Sequence, residues 1–127
     1  MATLDPYLIF SGDCRDAMEF YATCLQGTLD SIQTFAESPI EVGPEENDRI
    51  FNSVVVANDF RIRASDDLAA HSVSQGTNFS LYLHFDDAKE KDRVFAALSN
   101  GGTILFPNEP NFGMLQDRYG VRWMLSH

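Results

Sequence analysis

Several side chains in this chain of 127 residues are of types that can do chemistry: His84 with Tyr82 two positions before it, the arginines Arg61, Arg63 and Arg122, and the cysteines Cys14 and Cys24. An imidazole near a phenol can ligate a metal or act as a general base. Its plainer use is a hydrogen bond in a cleft or interface, and a metal would need two or three converging ligands that the sequence does not supply around His84. His71 sits in a polar connection and His127 at the end of the chain, so both are expected at the surface. With 9 basic residues against 19 acidic ones, a cluster of three arginines suits a carboxylate or phosphate ligand, because the planar guanidinium fork binds such groups in pairs. Pairing with Asp5, Asp59 or Asp117 is the competing use. Cys14 near a helix start invites a lowered thiol pKa, against simple packing as the alternative. The chain has no Gly-x-Ser-x-Gly elbow, no His-Glu-x-x-His, no Gly-rich phosphate loop ending in Gly-Lys and no Cys-x-x-Cys.

The elements that must position these groups come in two copies. Tyr7-Leu8-Ile9-Phe10 returns 75 positions later as Tyr82-Leu83-His84-Phe85, and in the same register Phe20 meets Phe95 and Gly27-Thr28 meets Gly102-Thr103. Near the end of each copy the offset becomes 61, where Phe51 meets Phe112, Val54 meets Leu115 and Arg61 meets Arg122. The 14 missing positions correspond to the acidic loop over residues 36–49.

Alternation and turn chemistry predict strands over 3–10, 28–35, 50–57 and 60–64 in the first copy, and over 78–85, 103–106, 112–117 and 121–126 in the second. Pro6 marks the first as an edge strand. The first helix is expected from an Asp13 cap, with Asp16 in the capping-box position, to Gln26, where Gly27 turns left-handed. Met18, Ala22 and Leu25 form its inward stripe, widened by Phe20, Tyr21 and Cys24. The second helix is expected from Asp87, with Glu90 completing the box, to Asn100-Gly101-Gly102. Asn58-Asp59 and Tyr119-Gly120 make the hairpin turns. The modules are residues 1–64 and 75–127, joined by a polar connection into a single domain over 1–127, because neither is large enough to bury a core alone.

Net charge of −10 argues against a nucleic-acid partner. No run approaches the roughly 18 apolar residues of a spanning helix, and Met1 to Pro6 lacks the features of a signal peptide, so a cytoplasmic protein without a membrane partner is expected. Cys14 and Cys24 lie ten residues apart on one predicted helix, about 15 Å, which is too far for a disulfide.

With these elements the chain resembles the vicinal oxygen chelate superfamily of glyoxalase I, bleomycin-resistance proteins and extradiol dioxygenases, and within it the PhnB-like branch. The resemblance rests on Pro6-Tyr7-Leu8-Ile9-Phe10, Ala17-Met18-Glu19-Phe20-Tyr21, the run from Asn78 to Asp87, Arg93-Val94-Phe95, Phe112-Gly113-Met114-Leu115-Gln116-Asp117 and Tyr119-Gly120-Val121-Arg122-Trp123-Met124. It implies an α+β fold of two βαβββ modules whose curled mixed sheets form a shared cleft, and a homodimer. The branch has often been labelled as a demethylubiquinone methyltransferase. The expected glycine-rich turn between a strand and a helix is not found at Gly101-Gly102, which follows a helix, so methyl transfer is not expected.

Strand alternation puts Leu8, Phe10, Leu83, Phe85, Phe60, Ile62, Val121, Trp123 and Leu125 on the helix side. The ligand-binding cleft then falls to Asp5, Tyr7, Arg61, Arg63, Ser80, Tyr82, His84, Arg122 and Met124, with Ile9 beside them. Tyr7 and Tyr82 offer stacking surfaces for a planar ligand. Metal-dependent relatives hold their ion at positions that correspond by register to Asp5, Arg63, Ser80 and Met124. Only Asp5 is a usual ligand there, so no conventional metal site and no cofactor are expected. The reading is a protein that binds a small organic molecule, anionic or aromatic, of which a resistance-type sequestering protein is one example. The alternatives are a metal-dependent lyase, isomerase or dioxygenase using Asp5 and His84, and a structural or regulatory dimer whose cleft is filled by its own side chains.

Overall fold

Leu8 and Phe10 alternate along the first strand with Tyr7 and Ile9; the first pair is buried, and the second is 51% and 52% exposed. A period of two produces that split where one face of a sheet is covered. The computed structural model describes residues 1–127 throughout. It forms two units, Met1–Val73 and Ser74–His127. The first contains β1 (Tyr7–Phe10), α1 (Cys14–Cys24), β2 (Thr28–Thr34), β3 (Ile50–Ala57) and β4 (Phe60–Asp66); the second contains β5 (Leu81–His84), α2 (Ala88–Ser99), β6 (Thr103–Phe106), β7 (Phe112–Gln116) and β8 (Arg122–Ser126). The sheets have the orders β1-β4-β3-β2 and β5-β8-β7-β6. In each, the first strand runs parallel to the last and the remaining pairs are antiparallel. This is the α+β arrangement of two βαβββ modules that the repeat predicts. Strand β1 is an edge of its sheet, as Pro6 requires. No helix is long and apolar enough to cross a membrane.

Each helix covers one face of its own sheet, α1 against β2, β3 and β4, and α2 against β7 and β8. The buried stripe of α1 is Cys14, Ala17, Met18, Tyr21 and Cys24, followed by Leu25. The stripe is therefore shifted from the expected one: Ala22 and Phe20 lie at its margins and Cys14 at its head. Val94, Phe95 and Leu98 do the same for α2, together with Lys91. Lys91 is fully buried, and its Nζ donates to the Asn108 side chain and to the Glu109 carbonyl, which holds the β6–β7 connection against the helix.

The helix ends differ from expectation in instructive ways. Asp13 makes no capping bond. Its place is taken by Asp66, whose Oδ1 accepts from the backbone N–H groups of Gly12 and Cys14 at 2.8 and 3.0 Å and whose Oδ2 accepts from that of Ile50 at 2.9 Å. In the second unit Asp87 does cap α2, accepting from the Lys89 N–H at 3.0 Å, whereas Glu90 takes the Arg93 guanidinium instead of completing a box. The left-handed residue after α1 is Gln26, at φ 52°, and not Gly27. Gly27 serves close approach: a Cβ there would strike the Val56 carbonyl, as one at Gly102 would strike that of Gln116.

Strand β4 runs two residues beyond the expected end, to Asp66, whereas β1 and β5 start only at Tyr7 and Leu81. Strand β3 matches β7 at an offset of 60 rather than 61, since Val54 pairs with Arg63 while Met114 pairs with Met124. The reason is the turn. Ala57 and Phe60 pair around two residues, but Asp117 bonds to Val121 across three. The longer turn is held by Asp117, whose Oδ1 accepts from the Tyr119 and Val121 N–H groups while Oδ2 accepts from Trp123 Nε1 at 2.9 Å. Trp123 is core, as its parity predicts.

Neither cysteine is in a disulfide, and both are buried. Burial pushes the Cys14 thiol up to about 12, partly offset by its contact with Ser53. The activated-thiol reading of Cys14 is thereby replaced by packing. Native protein at pH 8 should titrate almost no thiol with an aromatic disulfide reagent, and two after denaturation. Between pH 9 and 12 the unfolded chain loses a proton that native Cys14 keeps, so its contribution falls as pH rises through that window. Asp66→Ala should strand three backbone donors and cost on the order of 3 kcal/mol or more in chemical denaturation. Asp13→Ala should cost less than about 0.5 kcal/mol by the same measurement; equal effects would refute the assignment of the cap.

Candidate functional site

The side of each sheet away from its helix carries the residues singled out by alternation. In the first unit the register Tyr7↔Arg63, Ile9↔Ser65 and Val56↔Arg61 sets Tyr7, Ile9, Arg61 and Arg63 on one face. Asp5 precedes β1 and closes back on β4: its Oδ2 accepts from Arg63 Nε at 2.9 Å. Partly exposed as it is, that pair contributes modestly to stability. Its consequence is positional, because it leaves Asp5 engaged by a cation. Arg61 is exposed and has no hydrogen bond or ion pair in the chain, although Asp59 is two residues away.

In the second unit the register Tyr82↔Met124, His84↔Ser126 and Gln116↔Arg122 places Tyr82, His84, Arg122 and Met124 together on the uncovered face. Ser80 lies one residue before β5 and off the ladder. Arg122 is half-buried and, like Arg61, has no partner in the chain. Asp117, one of the carboxylates it was set against, is committed to its own turn and to Trp123. Met114 pairs with Met124 and with Phe106, so the middle of this face is apolar. Phe106 and Phe112 meet edge to face with centroids 5.6 Å apart.

Ser126 was not among the residues that the sequence singled out, yet it organises one end of this face. Tyr82 Oη donates to Ser126 Oγ at 2.8 Å, and Ser126 Oγ lies 2.9 Å from His84 Nδ1. The repeat contained the signal: Ser65 precedes Ser126 by 61 positions, at the matching point of the first sheet. His71 is exposed and paired with Asp67, whose carboxyl that bond holds below its usual range.

The donor set does not suit the metal centre of the superfamily. Of the four register positions, Arg63 repels a cation, Met124 and Ser80 are poor ligands for a hard or borderline divalent ion, and Asp5 already accepts from Arg63. No three of the His, Cys, Asp and Glu side chains come together in a ligating group. A methyl donor fares no better. The glycine between β1 and α1, Gly12, belongs to a turn whose N–H groups are taken by the Asp66 carboxylate, which stands where a ligand's anion would bind.

Comparison with known proteins agrees with this architecture. Among solved structures, protein PA1353 from Pseudomonas aeruginosa superposes with a TM-score of 0.91 at 36% identity, covering 99% of this chain and 97% of that one. A putative 3-demethylubiquinone-9 3-methyltransferase, the PhnB protein from Bacillus cereus, gives 0.82 at 28% identity over 98% of both chains. The fosfomycin resistance protein FosX from Listeria monocytogenes shares the fold alone, with a TM-score of 0.70 at 12% identity over 99% of this chain and 90% of that one. The family model described as 3-demethylubiquinone-9 3-methyltransferase matches residues 2–126. The chain therefore belongs to that family, the PhnB-like branch of the vicinal oxygen chelate superfamily.

Proposed function

We propose that the protein binds a small organic anion with an apolar or aromatic body on the uncovered faces of its sheets, without a conventional metal. One observation carries this reading. Arg61 and Arg122 hold the same register position in the two units, opposite Val56 and Gln116, and neither is neutralised by a carboxylate of the chain. In a protein of net charge −10, where acidic partners are plentiful, two unpaired guanidiniums at matching positions suit a ligand better than they suit stability. Tyr7 and Tyr82, both more than half exposed, supply planar surface beside them.

Homodimer formation and a cytoplasmic location belong to the same proposal. Strand β6 supports the first: it is an edge strand with Ile104, Leu105 and Phe106 all exposed, a combination that favours cover by another chain. Two unbridged cysteines support the second. The competing metal-dependent lyase, isomerase or dioxygenase would draw on Asp5 and His84, but the first accepts from Arg63 and the second faces Ser126 through Nδ1.

Metal analysis of protein purified without a histidine tag should find no stoichiometric ion, and titration with nickel, zinc, iron or manganese should show no uptake at micromolar concentration. About one tightly held ion per chain would overturn the metal-free reading. In a thermal-shift screen of aromatic and aliphatic carboxylates and phosphonates, the binding members should raise the melting temperature of the wild type. Replacing Arg61 and Arg122 together by alanine should abolish that rise, with affinity falling roughly tenfold or more. An undiminished shift would refute the arginine assignment.

A further inference from the structure

We infer that Ser126, Tyr82 and His84 form a subsite that reads an oxygen acceptor on the bound acid, with Ser126 as the residue that positions the imidazole; this deepens the anion reading above and rests on it. Ser126 is 7% exposed, so its hydroxyl proton must be placed within the protein. With Tyr82 Oη donating to Oγ, the Ser126 proton is directed to His84 Nδ1, the acceptor 2.9 Å away. The two bonds run in one direction, from phenol to hydroxyl to ring nitrogen. An imidazole that accepts at Nδ1 carries its proton on Nε2. His84 is exposed and Nε2 has no partner in the chain, so this N–H is offered outward as a donor of fixed polarity.

The rest of the face gives the ligand its outline. Arg122 precedes Ser126 by four residues on β8, about 13 Å along the strand. Between them lie Met124 and, paired with it, Met114, a soft apolar surface. Once the guanidinium leans along the strand, an acid with one ring spans the interval, its carboxylate at Arg122 and a carbonyl oxygen at His84 Nε2. The first unit is an internal control. Its matching residues are Tyr7, Ser65 and Ile9, so the phenol and hydroxyl are repeated but the imidazole is not. The donor belongs to the second unit alone.

The test compares 4-acetylbenzoate with 4-isopropylbenzoate, near-isosteres that differ by a carbonyl oxygen, using calorimetry on the whole chain. The affinity ratio favouring the acetyl compound should be roughly threefold to tenfold larger for wild type than for His84→Phe, with Ser126→Ala between them. In a long-range proton–nitrogen spectrum at pH 8, His84 should be the Nε2–H tautomer, and Ser126→Ala should lower the share of that form. Binding of both acids with a ratio unmoved by His84→Phe, or a wild-type Nδ1–H tautomer, overturns the subsite and leaves the arginine reading intact. Failure of both acids to bind the wild type overturns the anion reading and the subsite with it.

Discussion

Asp66 gathers three backbone N–H groups that lie between 16 and 54 residues away in sequence, and the orientation of the first unit's open face follows from that convergence. Its carboxylate sits at the end of β4, paired in register with Phe10 at the end of β1. Gly12 and Cys14 come immediately after β1, so holding them fixes where α1 begins and onto which side of the sheet it descends. Holding Ile50 fixes where β3 starts. Asp66, Ala64 and Ile62 then face the helix, and Ser65, Arg63 and Arg61 must face away. The arginines point where a ligand can reach them because a buried carboxylate two strand-pleats away points the other way.

The second unit solves the same problem at the opposite end of its last strand. The position that matches Asp66 is His127, which is exposed, and α2 is capped locally by Asp87 instead. The buried carboxylate is Asp117, in the turn that leads into β8, where it ties two backbone N–H groups and the Trp123 indole. Trp123 and Leu125 are thereby held against the helix side, and Arg122, Met124 and the Ser126 hydroxyl are presented to the other. Each unit therefore uses one buried aspartate to set the parity of its closing strand. Only the location of the anchor differs.

Parity was the part of the site most legible in the sequence. A strand places alternate residues on opposite faces whatever its exact ends, so trimming β1 to Tyr7–Phe10 and extending β4 to Asp66 left Tyr7, Ile9, Arg61 and Arg63 on the face away from the helix, whereas Asp5 and Ser80 fall outside the strands. Features that depend on contacts across the sequence were not legible. Asp13 has the local chemistry of a cap, but Asp66 reaches the helix start from 52 residues away, and no local pattern announces that. Glycine at position 27 looked like a helix stop, whereas its role is set by the Val56 carbonyl on a neighbouring strand. The one-residue lengthening of the second hairpin shifted β7 by a position, so Met114 and not Leu115 is the structural counterpart of Val54. A serine at position 126 carries no local signal of its own; its meaning comes from Tyr82 and His84 across the β5–β8 ladder.

The two open faces have diverged on one scaffold, and the divergence constrains the chemistry. Where the second unit has Met124 the first has Arg63, and where the second has Ser80 the first has Asp5, so the first unit completes an ion pair with itself. A guanidinium and a carboxylate matched in this way neutralise each other. What remains uncompensated is Arg61 in one unit and Arg122 in the other, and only the second unit's face carries an imidazole, in contact with the Ser126 hydroxyl. The β1–α1 turn offers no cradle for the carboxylate of a methyl donor, since its N–H groups are taken by Asp66. The charges left open are cationic, and the middle of the second unit's face beside Arg122 is apolar. On the proposed reading, that combination selects an organic acid, and the imidazole distinguishes among such acids by the oxygen at the far end.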